Sequence, residues 1–272
     1  MITSTVPYKK FTFPVGEMQV NLEPVGLEES YPFVEVTFNF ERTEEIFELM
    51  LLCDALKRAR KTLETLTLPY VPFSRQDRVN HEGESFSLKV FADVINSLGF
   101  LEVVITDPHS DVSPALIHNC KVHEQWTALL PLVLDAVKGS PFYLVSPDAG
   151  ALKKTHKLAL KFAPADKNTL SRMLGVVECG KLRDTRTGEI TGTVVHNVES
   201  EGQWLNPAVP YVIVDDIIDG GRTFIELAKA LRAKGANDIQ LVCTHGFFTK
   251  GMKVFEGLIN GVHVANDQQR QL

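Results

Sequence analysis

Apolar positions along the chain follow two periods in turn. Over residues 42–63, Ile46, Leu49, Met50, Cys53 and Leu56 recur at helical spacing, with Glu44 and Glu45 in the first turn and Lys57, Arg58, Arg60 and Lys61 in the last. Acids at the start and cations at the end suit the helix dipole, so this stretch predicts an amphipathic helix. A second helix is predicted over 86–98 through Leu88, Phe91, Ala92, Ile95 and Leu98, with Gly99 as its stop. Helices are also predicted over 124–137, over "ALKKTHKLALKF", and over 224–234 on Phe224, Leu227, Ala228 and Leu231. Between them lie short apolar runs that read as strands: "LTLPYVPF", "LEVVITD", "PFYLVS", "PYVIVDD" and "DIQLVCTHGFF". "MLGVVECGKLRDTRTGEITGT" reads as strand, loop and strand.

Strands alternating with helices predict an α/β fold of mostly parallel sheets flanked by helices. In such sheets ligands sit beyond the carboxyl ends of the strands. The clusters "PHSD", "SPDAG", "DDIIDGGRT" and "THGFF" all fall at that end of an apolar run. The Gly-Ser-Pro segment at 139–141 predicts a boundary between two α/β halves, 1–138 and 139–272.

Composition narrows the function classes. The chain has 272 residues, 44% hydrophobic and 23% charged, and carries a net charge of −6. That charge predicts no general polyanion surface and hence no nucleic-acid partner, so phosphate chemistry must rest on local cations and a metal. Cys53, Cys120, Cys179 and Cys243 are far apart in sequence, with no C-x-x-C pair. This spacing predicts reduced thiols. The first residues lack the apolar core of a signal peptide, and no apolar run reaches membrane-spanning length. A soluble, cytoplasmic protein with no membrane partner is therefore expected.

The densest chemistry lies in "VIVDDIIDGGRTF", residues 212–224. Gly220, Gly221, Arg222 and Thr223 supply backbone N–H groups at the mouth of a helix, which is a site for a phosphate. A Gly-Gly pair alone is equally an ordinary turn; Asp215 and Asp216 distinguish it. Acids beside such a turn would repel a phosphate unless they hold sugar hydroxyls or Mg²⁺. A phosphorylated sugar satisfies both halves of the motif. Consecutive strand side chains point to opposite faces, so both acids are expected to address one ligand only if the strand breaks there.

Two nucleotide motifs are excluded. "GVVECGKL" comes near G-x-x-x-x-G-K-[ST], but Leu182 stands where a hydroxyl would bind magnesium, and no G-x-G-x-x-G follows a strand.

Together with "PYVPFSRQDR", "DPHSD", "SPDAG" and "THGFF", the acid pair and its glycine turn make the chain resemble the ribose-phosphate pyrophosphokinase (PRPP synthetase) family, within the class I phosphoribosyltransferase-like fold. The likeness runs from about residue 11 to about residue 250 and includes "ELMLLCDALKRA" as a first long helix. It implies two phosphoribosyltransferase-like domains, the first holding ATP and trimmed at its N-terminus, the second holding the ribose phosphate. It also implies Mg²⁺-dependent transfer of a diphosphoryl group from ATP to ribose 5-phosphate, in a homo-oligomer, dimer or hexamer. Carried over by motif, Phe13, Glu17, Arg75, Gln76, Asp77 and His109 would face ATP, and His109 and Asp148 the metal. Asp148, Asp215 and Asp216 would hold the ribose, and Asp219, Gly220, Gly221, Arg222 and Thr223 its phosphate. Lys181 and Arg183, with His109, would be catalytic, the two cations on a flexible loop closing over the transferring phosphoryl group.

Two departures bear on specificity. The family's adenine-contacting "FSDGE" reads here as "FPVGE", with Val15 replacing an acid. Its "DTAGT" or "DTGGT" turn reads "DGGRT", bringing in Arg222, whose other expected partner is Glu226 four residues on. A larger acceptor such as ADP-ribose is thus an alternative to ribose 5-phosphate, placing the chain in NAD metabolism rather than nucleotide biosynthesis. A simple phosphoribosyltransferase would have no use for "SRQDR". A non-catalytic regulator of the same fold would not need Lys181 and Arg183.

Overall fold

A computed structural model describes residues 1–24, 32–162, 173–183, 190–196 and 205–267, giving the backbone alone for 181–183 and 190–193. The chain divides into two compact units, Met1–His123 and Glu124–Leu272.

The first unit is built on a five-stranded sheet. Strand β1 (Ile2–Ser4) is followed by a hairpin, β2 (Tyr8–Thr12) and β3 (Met18–Leu22), and by β4 (Phe33–Phe38). Helix α1 (Glu44–Arg58), β5 (Thr62–Leu68), α2 (Ser87–Leu98), β6 (Glu102–Thr106), α3 (Val112–Leu116) and β7 (Cys120–His123) complete it. The sheet order is β1-β4-β5-β6-β7, with β4 to β7 parallel and β1 antiparallel. Val34, Val36 and Phe38 alternate inward along β4, and α1 covers them with Leu49, Leu52, Cys53 and Leu56. The buried Glu48 of α1 accepts the Tyr8 hydroxyl at 2.9 Å and the Lys10 ammonium at 2.6 Å, which ties the hairpin to the helix.

Helix α1 ends earlier than its periodicity suggests. Arg60 adopts φ 58°, its N–H bonds Lys57 O at 2.9 Å, and the Lys61 N–H bonds Leu56 O at 3.0 Å. This is a Schellman closure with Arg in the place that usually takes Gly. It frees Thr62 to start β5, because the β-branched run that follows gains more from pairing with β4 than from another helical turn. Helix α2 stops where the sequence places its stop, at Gly99 with φ 76°.

The second unit contains α4 (Gln125–Val137), β8 (Phe142–Ser146), α5 (Ala149–Phe162), β9 (Met173–Arg183), β10 (Ile190–Val195), β11 (Pro210–Ile218), α6 (Arg222–Ala233), β12 (Asp238–Gly246), a 3-10 turn (Met252–Phe255) and β13 (Gly261–Asp267). Its sheet order is β10-β9-β8-β11-β12-β13, parallel except for the β9–β10 pair. Strand β11 is buried on both faces. Tyr211 and Ile213 pack with Leu227, Leu231 and Leu241, while Val212 and Val214 pack with α4 and α5 through Leu129, Val133 and Leu158. A parallel strand covered on both sides needs this continuous apolar run.

The helix over 124–137, expected in the first half, belongs to the second unit. Leu129, Val133 and Val137 share a core with Phe142, Leu144, Val212 and Val242. The Gly-Ser-Pro segment is the turn between α4 and β8, where Lys138 and Gly139 both take positive φ, 48° and 79°. A helix needs a sheet face to cover, and α4 finds it after this turn in sequence, not before. No helix among the described residues is long and apolar enough to cross a membrane.

Leu231 is fully buried between α6 and the sheet. Leu231→Ala is expected to destabilise the second unit by about 2–5 kcal/mol, read as a lower urea midpoint in a transition assigned to residues 124–272. An unchanged midpoint would show that this face carries no such packing.

Candidate active site

In the first unit, two loops at the carboxyl edge of the parallel strands meet. Ser74, in the turn after β5, is buried, and Phe73 holds φ 62°. The turn is closed by the Gln76 N–H to Phe73 O at 2.8 Å. This turns Asp77 inward while Arg75 and Gln76 stay exposed. Asp77 takes a two-pronged grip from Arg78, Nε to Oδ1 at 2.7 Å and a terminal nitrogen to Oδ2 at 3.2 Å. Arg78, with Ser110 and the charge of His109 after it, holds the Asp77 carboxyl below the usual carboxylate range against the opposing effect of burial. Asp77 of "SRQDR" and His109 of "DPHSD" are therefore neighbours. His109 is exposed, beyond a chain reversal at Asp107 with φ 42°.

Phe13 and Glu17 lie at the tip of the β2–β3 hairpin, exposed, with the Phe13 N–H donating to Glu17 O at 2.7 Å. Phe13 meets Phe11 edge to face at 5.1 Å, and Val15 is 80% exposed.

In the second unit the acids converge. Strand β8 ends in the buried Ser146, whose hydroxyl donates to Asp148 O at 3.0 Å. Asp148 Oδ1 accepts the Ala151 N–H at 3.1 Å, so it caps α5 as well as facing the site. Asp215 and Asp216 sit two to three residues before the end of β11, and the strand does not break at them. It continues to Ile218, with Asp215 paired to Cys243 and Ile217 to His245.

The two carboxylates nevertheless meet. Asp215 Oδ1 accepts the Asp216 N–H at 2.9 Å, and the two carboxyls hydrogen-bond. Burial first, then the charge of Asp216, pushes the Asp215 carboxyl well above the usual range, with Asp148 adding to it. The strand break that addressing one ligand was expected to need is not present, since β11 runs on through both acids. Asp215 turns its carboxyl to the N–H of the residue that follows it.

Beyond β11, Gly221 takes φ 77° at the mouth of α6, where an added Cβ would lie 2.7 Å from the Phe255 ring. Both the backbone angle and the space require glycine there. Thr223 is half-buried in the first turn of α6. Asp219 accepts the Thr249 hydroxyl at 2.7 Å. Arg222 is exposed, and the helix-start pair with Glu226 is not among the ion pairs of the described residues; Glu226 holds Lys229 at 2.9 Å.

Lys181 and Arg183 are on a strand rather than on the expected loop. Strand β9 runs through Arg183 and pairs with β10, Thr193 opposite Lys181 and Ile190 opposite Arg183. The edge strand β10 gives β9 a partner as far as residue 183. The side chains of Lys181 and Arg183, and the connecting residues 184–189, lie outside the described residues.

Three groups escaped the sequence. Lys154 Nζ stands 4.0 Å from Asp216 Oδ2, one of two adjacent cations six residues after Asp148 on α5. That offset from the strand-end acid was the available signal. Thr249 and Lys250 reach the Asp219 turn from the loop after β12, which no local pattern announces.

Among the described residues no group of three or more His, Cys, Asp or Glu side chains is placed to hold a metal by itself. Isolated oxygen donors are nonetheless what a magnesium ion carried in on substrate phosphates uses.

Comparison with known proteins agrees in both units. The model for the N-terminal domain of ribose phosphate pyrophosphokinase matches residues 2–99, and that for the phosphoribosyl synthetase-associated domain matches 209–271. The chain is 30% identical over 263 residues to a ribose-phosphate pyrophosphokinase of Mycoplasma genitalium, covering 93% of this chain and 73% of that one. It is 30% identical over 241 residues to that of Corynebacterium efficiens, covering 87% and 68%. The fold matches the crystal structure of phosphoribosylpyrophosphate synthetase from Mycobacterium smegmatis, with a TM-score of 0.74 at 22% identity over 95% of this chain and 80% of that one.

Because burial, then the charge of Asp216, pushes the Asp215 carboxyl well above its ordinary value of 3.8, the folded chain keeps a proton there to higher pH than the unfolded chain does. Stability is therefore lost as pH rises from that value toward the raised one. Asp215→Asn removes this loss. Its melting temperature is expected to exceed that of the wild type at about pH 8, with the gap shrinking toward about pH 4. Thermal melts across that range check it, and a gap that does not vary with pH would refute the assignment.

Proposed function

The chain belongs to the ribose-phosphate pyrophosphokinase family, and on that premise we propose that it transfers the diphosphoryl group of ATP to the anomeric hydroxyl of ribose 5-phosphate, giving PRPP and AMP. The observation that carries this reading is the acid pair of β11 running directly into the Asp219–Thr223 turn at the mouth of α6. The acids suit the two ring hydroxyls of a ribose, and the turn suits its phosphate.

The anomeric oxygen attacks the β-phosphorus of ATP. The bond from that phosphorus to the α–β bridging oxygen breaks, AMP leaves, and the anomeric proton passes to solvent. No protein nucleophile is required, which fits the buried Cys53, Cys179 and Cys243. Burial pushes the Cys179 thiol up to about 12, so it is not a thiolate at neutral pH.

Positioning is left to the chain. Arg75, Gln76 and Asp77 bind ATP; Asp77 is locked by Arg78, so the loop is held in place before substrate arrives. Phe13 and Glu17, at the exposed hairpin tip, meet the adenine; in this family such contacts come from a neighbouring subunit, so the active form is a homo-oligomer. Asp148, Asp215 and Asp216 orient the ribose, with Lys154 balancing their charge. Lys181 and Arg183 offset charge on the transferring phosphoryl group. His109 in the first unit and Asp148 in the second are each a residue that would hold Mg²⁺ on substrate phosphates, where the ion would supply neutralisation of phosphate charge.

One observation favours a second reading. Arg222 is exposed and Glu226 is taken by Lys229, so the guanidinium is available to an acceptor with a second phosphoryl group, such as ADP-ribose. Incubation with Mg·ATP and each acceptor separately, with products identified by mass, decides between them. AMP with ribose 5-phosphate alone is expected, and EDTA should abolish it. AMP with ADP-ribose alone would overturn the first reading, and full turnover in EDTA would overturn the metal.

Lys181→Ala and Arg183→Ala are each expected to lower kcat by about 10²-fold or more, the scale for losing one preorganised charge contact. Substrate affinity should change little. Wild-type kcat in either variant would remove that residue from the transfer step.

A further inference from the structure

The loop after β12 is fastened to the glycine turn before α6 at three points. The Phe247 N–H donates to Ile218 O at 2.7 Å, the Thr249 hydroxyl donates to Asp219 Oδ1 at 2.7 Å, and the Phe255 ring fills the space that Gly221 leaves open. Lys250 is thereby brought over the turn. Its methylenes cover Gly220, with Cδ and Cε each 3.5 Å, and Cγ 3.7 Å, from where a Cβ would stand. A lysine stem in ordinary van der Waals contact along backbone is held in direction, while the residue remains exposed.

The charges of the turn give that cation a purpose. Asp219 places a carboxylate in the turn that leads into α6, where the helix N–H groups and Arg222 must attract an anion of up to two charges. An ammonium carried on that stem would offset Asp219 without occupying the N–H groups. From this geometry we infer that Lys250 is a specificity-determining residue, contacting the phosphate end of the sugar acceptor and selecting phosphorylated over unphosphorylated ribose. This rests on the reading of the Asp219–Thr223 turn as the acceptor's phosphate site. The loop's attachment through Thr249 fixes where the cation stands, so recognition is shared between a rigid turn of N–H groups and a side chain delivered from the next strand.

Lys250→Met keeps the stem over Gly220 and removes the charge; Lys250→Arg keeps the charge. Calorimetric titration of the full-length protein with ribose 5-phosphate, and separately with Mg·ATP, tests the assignment. Lys250→Met is expected to weaken ribose 5-phosphate binding by roughly tenfold or more, as for loss of a hydrogen bond to a charged group, with Mg·ATP affinity unchanged and Lys250→Arg restoring most of the loss. Equal affinity for ribose 5-phosphate in wild type and Lys250→Met would overturn the inference while leaving the proposed activity standing. Parallel loss of both ligands would overturn it too, by marking the position as merely structural. A wild-type protein that binds Mg·ATP but not ribose 5-phosphate would overturn both the inference and the acceptor assignment beneath it.

Discussion

Two adjacent carboxylates near the carboxyl end of a strand buried on both faces set the terms for the second unit. Charge in that position is costly, and the fold answers by favouring the protonated form of Asp215, bonding it to the Asp216 N–H, and placing Lys154 near the pair. Such a pair is unfavourable for stability alone. A hydroxyl-bearing ligand or a cation arriving there would share the charge, which is how a binding site stores strain that a ligand relieves.

The neighbouring elements follow from this. Strand β11 lies between β8 and β12, so acids at its end are flanked by Asp148 on one side and the Thr249–Lys250 loop on the other. Gly221 must be glycine because α6 has to start at once, under the Phe255 ring, if its N–H groups are to sit beside the acids. The tightness of the turn and the charge of the strand end are two sides of one arrangement.

The first unit solves a different problem, holding a polar loop still. Asp77 is buried, gripped by Arg78 and neighboured by Ser110 and His109, so one carboxylate organises two loops from successive strands. Arg75, Gln76 and His109 stay exposed around it. Ordering them in advance reduces the entropy that any ligand bound there would cost.

What the sequence determined by itself was whatever depends on local order. The periods of the apolar residues placed α2, α4 and α6 to within two residues, and Gly99 ended α2 because only a left-handed residue closes that turn. The strand-end clusters marked the functional edge, since parallel strands deliver their loops to one side. What only the tertiary structure decided depends on partners distant in sequence. Helix α4 joined the second unit because its apolar face needed Phe142 and Val212. Strand β9 ran on through Lys181 and Arg183 because β10 returned to pair with it. Lys250 came to the glycine turn through sheet packing that no short-range pattern encodes, and it was helix packing that brought Lys154, marked only by its offset from Asp148, to the acids. Local periodicity fixes which face a residue occupies; burial and pairing fix what that face meets.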